Sequence, residues 1–133
     1  MSEIITDKLT GKTTAKTVTV TVGATATMSL EQGLAKAWVN FDGTGTIAAR
    51  DSLNLSSLTD VGTARYTITV SSAFGNSDYM AAGMSQDTGV GDFLSIDSAN
   101  APTATAFTFY NFINSSSAAD TARVFVAFHG DLA

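Results

Sequence analysis

The residues able to do chemistry are few, and their spacing fits no reactive arrangement. Leu9-Thr-Gly-Lys-Thr13 offers the lysine and hydroxyl of a phosphate-binding loop. That loop needs a glycine five residues before Gly11, where Thr6 stands, and a strand leading into a helix. The pairs Gly43/Gly45 and Gly89/Gly91 read as β-turn positions rather than anion cradles. His129 is the single histidine, close to the C-terminus, and no Gly-x-Ser-x-Gly elbow accompanies it, so it reads as a surface or interface side chain. Asp87, Asp92 and Asp97 could offer oxygens to a hard cation, yet their spacing matches no calcium loop and they read as solvated turn carboxylates. A pair of carboxylates set across a groove, as glycan cleavage requires, is not expected of acids that sit in turns. Asn54-Leu-Ser56 and Asn114-Ser-Ser116 satisfy the glycosylation pattern, which carries meaning only behind a secretion signal. The expectation is a protein that is not an enzyme, with no catalytic residue, cofactor or metal site.

Composition points the same way. The chain has 133 residues and no cysteine, which excludes disulfides and thiolate metal sites. A chain of this length buries roughly two-thirds of its unfolded surface, enough for one core without staples. Hydrophobic residues make up 44% and charged residues only 14%, while serine and threonine supply about a quarter, so hydroxyls rather than charges keep the surface wet. A net charge of -5 and a pI near 4.4, with scattered basic residues, argue against nucleic-acid binding. No apolar run approaches the ~18 residues of a membrane span, and Met1-Ser-Glu-Ile-Ile-Thr-Asp7 lacks the basic flank and apolar core of a secretory signal. Assembly in a cytoplasm without membrane insertion is expected.

The positioning elements read as strands. Residues 1–16 are polar, with Ile4, Ile5 and Leu9 as isolated apolar pegs, and suit an arm that needs a partner surface. Thr17 to Val22 alternates threonine and valine, the period of a strand with one face buried. Ala24 to Leu30 alternates more weakly, and Ser29-Leu-Glu-Gln32 supports one helical turn that Gly33 ends. From Leu34 to Phe41, Trp38 shares a face with Lys36 and Asn40, opposite Ala37, Val39 and Phe41. Asp42-Gly43-Thr44-Gly45 supplies a hairpin turn, and the slip at Ser56-Ser57 within Leu53 to Leu58 predicts a bulge. Tyr66, Ile68 and Val70 form an inward face; strands follow over Tyr79 to Met84 and Phe93 to Ile96, separated by a turn at Gly89-Val-Gly91. Turn signals every 8 to 12 residues predict an all-β fold, an antiparallel β-sandwich or jelly-roll-like domain over 17–133.

The last strands, Ala104 to Ile113 and Ala122 to Phe128, are apolar on both faces, whereas an antiparallel strand normally shows one face to water. Phe107 and Phe109 oppose Tyr110 and Phe112, and Phe125 opposes Val124 and Val126. Cover comes either from the other sheet with a loop or from an identical subunit; the second is favoured, because oligomer interfaces resemble cores. Trp38, Phe107, Phe109 and Phe125 are therefore candidates for core or subunit interface.

One stretch carries a resemblance. Gly33-Leu-Ala-Lys-Ala-Trp-Val-Asn-Phe41, the Gly43-Thr-Gly-Thr46 turn, Arg50, Leu53-Asn-Leu-Ser-Ser-Leu-Thr-Asp60 with Gly62 behind it, and the strand Arg65 to Val70 are present in order. Over roughly residues 1 to 70 the chain resembles the short trimeric tail-fibre proteins of marine tailed bacteriophages. That family carries Gly-Asp before the tyrosine where this chain has Ala64-Arg65, which leaves the shape of that loop open. The resemblance implies a homotrimeric virion protein with a structural and adhesive role, its arm docking onto other virion proteins of the tail or capsid through Ile4, Ile5 and Leu9. It also implies loops that touch a host glycan or surface protein. Asn76, Asp78, Gln86, Asp87, Asn114 and Ser116 are the loop residues proposed for that contact, since they present amides, hydroxyls and carboxylates. Capsid decoration or a head fibre is the alternative role for the same trimer.

Overall fold

In a computed structural model of the chain, the described residues are 6, 8, 9, 18–22, 25–86, 93–114 and 117–133. They fall into two compact units, Met1–Leu34 and Ala35–Ala133. The arm expected over 1–16 lies outside the described residues except for Thr6, Lys8 and Leu9, and the turn at Gly89-Val-Gly91 lies outside them altogether.

In the first unit, β1 (Thr19–Val22) pairs antiparallel with β2 (Ala26–Ser29), Val20 opposite Met28. One helical turn, α1 (Leu30–Gly33), follows, and the Ser29 hydroxyl caps it by accepting from the Gln32 N–H. The valine face expected to be buried is open at Val20, which is 38% exposed. A two-stranded ribbon has no second layer to cover its face.

The second unit holds two sheets. In chain order its strands are β3 (Ala37–Asp42), β4 (Ala48–Leu53), β5 (Leu55–Gly62), β6 (Arg65–Val70), β7 (Met80–Ser85), β8 (Phe93–Ile96), β9 (Ala106–Asn114), β10 (Ser117–Ala118) and β11 (Val124–His129). One sheet runs β4-β3-β11-β7. In the other, β9 pairs with β6 and β10, β6 pairs with β5, and β8 takes the opposite side of β9, because Tyr110 faces both Arg65 and Ser95. Every pairing is antiparallel.

Alternation decides which faces meet. Ala37, Val39 and Phe41 of β3, Tyr66, Ile68 and Val70 of β6, and Val124, Val126 and Phe128 of β11 are buried, as are Phe107 and Phe109 of β9. Their rings interlock edge to face: Phe41 lies 5.1 Å from Tyr66, and Phe107 lies 5.4 Å from Phe128. The slip at Ser56-Ser57 is a bulge, with the register shifting between Leu55 and Ser57 against β6.

Both strands that read as apolar on two faces keep one face partly open. On β9, Phe112 stacks beside Phe93 of the neighbouring strand at 5.2 Å and the Arg65 guanidinium lies 5.5 Å from the Tyr110 ring, while Phe93 stays 44% exposed. On β11, Phe125 is 38% exposed.

Candidate functional site

The corners of the second unit are held by side chains from the stretch Asp42 to Asn54 and its neighbours. At Asn54 a single residue with φ 57° separates β4 from β5, so one extended run passes from the first sheet to the second. Asparagine tolerates this left-handed conformation better than other non-glycine residues. Its carboxamide also pins the corner: Nδ2 donates to the Lys36 and Ser72 carbonyls, and Oδ1 accepts from the Ser72 N–H at 2.6 Å. At the other end Asp42 accepts from the Thr44 N–H and hydroxyl, closing the hairpin turn, and from Arg50 at 2.6 Å. Arg50 donates in addition to the Ala122 carbonyl, which ties β4 to the approach of β11. The Thr44 bonds and the Arg50 charge hold the Asp42 carboxyl below its ordinary range.

Tyr66 stands upright in the core with its hydroxyl donating to Asp120 at 2.6 Å and lying 3.2 Å from the Gly43 carbonyl. Burial, together with the Asp120 carboxylate, pushes its phenol well above the usual value. Gly43 is required there because a Cβ would stand 2.4 Å from the Tyr66 hydroxyl. Asp97 is 2% exposed and accepts from Arg65 Nε at 2.8 Å, from the Ala99 N–H and from Asn100. Burial works against its ionisation, but these donors and the Arg65 charge outweigh that and set its carboxyl below the ordinary range. Asp97 is therefore a buried structural anion rather than the solvated turn carboxylate expected, while Asp87 and Asp92 lie outside the described residues. Among the described residues no three His, Cys, Asp or Glu side chains are grouped to hold a metal ion.

What the corners hold in place is an open apolar face. On the side of the β4-β3-β11-β7 sheet turned away from the core, the rows Leu53-Trp38-Ala127-Ala82 and Asp51-Asn40-Phe125-Met84 cross all four strands. A groove of about 520 Å³ runs over them. Met84 is 66% exposed, and Trp38 is half-buried. The Asn40 Oδ1 is shielded from water and has no hydrogen-bond partner among the described residues.

The candidate residues separate accordingly. Phe107 and Phe109 belong to the core, whereas Trp38 and Phe125 share the outer face and line the same groove. Among the loop residues, exposed Asn76 and Asp78 sit beside the C-terminus of β11, where the Gly75 N–H donates to the Asp131 carbonyl. Gln86 donates to the Arg123 carbonyl at the start of β11, and Asn114 ends β9 on that same far side. These loops therefore lie at two opposite ends of the unit. Ile4, Ile5, Asp87 and Ser116 lie outside the described residues. Asn40, Asp51, Ala82 and Met84 were not expected at this surface; the period-2 pattern had placed Asn40 beside Trp38 but carried no sign that the face is open. No protein family, curated protein or solved structure that was compared matches the chain. No helix among the described residues is long and apolar enough to cross a membrane.

Proposed function

We propose that this chain is a structural virion protein of a tailed bacteriophage, a trimeric short fibre with a host-adhesion role. In this reading the two sheets form a β-sandwich; the sequential hairpins β3–β4, β5–β6 and β8–β9 favour that over a jelly roll. Residues 1–16 anchor the protein to the particle through Ile4, Ile5 and Leu9, ordering as they bind. Loops at one end of the unit touch a host glycan or protein without catalysis, and several trimers on one particle raise a weak contact by multivalency. The observation that carries the reading is where the resembling residues fall. Gly43, Arg50 and Asn54 hold corners of the unit, so part of the resemblance lies in residues that shape its fold.

The same trimer seated on the capsid as decoration or head fibre is the second reading. Gold-labelled antibodies against residues 35–133, applied to purified virions, test both. Label at the tail is expected. Label spread over the head moves the assignment to decoration, and particles that take no label overturn the virion reading. Removing residues 1–16 should leave thermal stability nearly unchanged and abolish incorporation into particles.

A further inference from the structure

An antiparallel sheet that meets water on one face shows polar residues there, yet the outer face of β4-β3-β11-β7 is apolar across all four strands. Met80 extends it beyond the two rows already described, opposite His129. We propose that this face is where three copies of the chain meet, each sheet forming one wall of a triangular prism with β3 and β11 nearest the axis. The proposal rests on the trimeric reading above and assigns it a surface.

The charge distribution favours a second copy as occupant. Each chain carries a net charge of -5, so copies repel wherever acidic surface meets acidic surface. The two rows hold one charged side chain, Asp51, on an edge strand, and none at their centre.

Dimensions fit three copies. Four strands at a spacing of ~4.8 Å make a wall about 19 Å wide, and three such walls close with each backbone about 5.5 Å from the axis, close to half the ~10 Å between packed sheets. Six residues give each wall a height of about 20 Å, so the three walls together hide about 1,140 Å² in plan, about 380 Å² at each contact between neighbours. In the prism the β4 edge of one copy runs beside the β7 edge of the next.

The chain has no cysteine, which makes the arrangement directly testable. Asp51 and Met84 lie in one cross-strand row on opposite edge strands, separated by three strand spacings, about 14 Å. A disulfide does not span that distance within a chain. The full-length double variant Asp51→Cys, Met84→Cys, treated with a short bis-maleimide, should give covalent dimers and trimers on a denaturing gel and nothing larger. A ladder ending at dimer overturns the threefold prism. Absence of cross-links in a protein whose light-scattering mass is trimeric overturns the assigned face and leaves the trimeric reading standing. A monomeric mass for the unmodified protein at micromolar concentration overturns both. As a second measurement, Phe125→Lys changes an exposed side chain and should lower the mass threefold while shifting the emission of Trp38, the only tryptophan, to the red. A trimeric mass for that variant overturns the proposal.

Discussion

At the scale of single residues the unit depends on a few polar side chains that could be mistaken for functional ones. Asn54 looks like a glycosylation acceptor, yet its carboxamide makes three hydrogen bonds that hold a corner in a left-handed conformation. Asn54→Ala loses those bonds and the preference for positive φ, and should cost about 3 kcal/mol in urea unfolding. Asn54→Gly keeps the backbone freedom and should cost less, which separates the two contributions. Tyr66→Phe removes the hydroxyl that donates to Asp120 beside Gly43, while Asp120 keeps the Ala64 N–H, with an expected loss of about 1 kcal/mol. Gly43→Ala forces a methyl against the same hydroxyl and should cost about 1–3 kcal/mol. A neutral Gly43→Ala would mean that the Tyr66 hydroxyl packs loosely against the turn.

At the scale of elements, the β5–β6 hairpin turns on Ala64 and Arg65. Ala64 is fully buried and takes φ 59°, the region a glycine enters freely, so the turn keeps a glycine-like backbone with an alanine in it. Ala64→Gly relieves about 1 kcal/mol of backbone strain and loses a buried methyl of about 0.8 kcal/mol, so its unfolding free energy in urea should change by less than ~1 kcal/mol. The second position behaves differently. Arg65 pairs with buried Asp97 and lies over the Tyr110 ring, so Arg65→Asp would set two carboxylates together and should clearly lower the melting temperature. The double change Arg65→Asp, Asp97→Asn should recover part of that loss.

At the scale of the whole molecule, pH and orientation become readable. Asp97 and Asp42 both have folded values below the ordinary carboxyl value of 3.8. Their contribution to stability is therefore present above that value and is lost as pH falls through the lower folded value. Thermal unfolding should be flat between pH 5 and 7 in order of magnitude and decline below about pH 4, with a shallower acid limb in Asp97→Asn. Orientation follows from the separation of the loops. Replacing residues 75–78, or residues 85–89 with 114–117, by glycine and serine of equal length should leave folding intact. Only one of the two exchanges should reduce adsorption to the host, and it marks the distal end. Loss from both would mean that recognition is not confined to one end of the unit.

Period-2 alternation made the inward residues of β6 and the two faces of β3 readable directly from the chain, because a buried face selects apolar side chains at every second position whatever the partner. The hairpin at Asp42-Gly43, the capped turn at Ser29 and the bulge at Ser56-Ser57 were legible for a related reason: each depends on the local chemistry of two or three neighbouring residues. Which strands share a sheet was not legible, since β11 pairs with β3, some ninety positions away, and nothing local encodes that choice. The same gap hid the roles of Asp97, Asp120 and Asn54, whose partners are distant in sequence. It also hid what the second faces of β9 and β11 meet: only the packed arrangement sets Phe93 beside Phe112 and leaves Phe125 partly open. Side-chain type sets what a face needs, and tertiary packing decides whether its own chain supplies it.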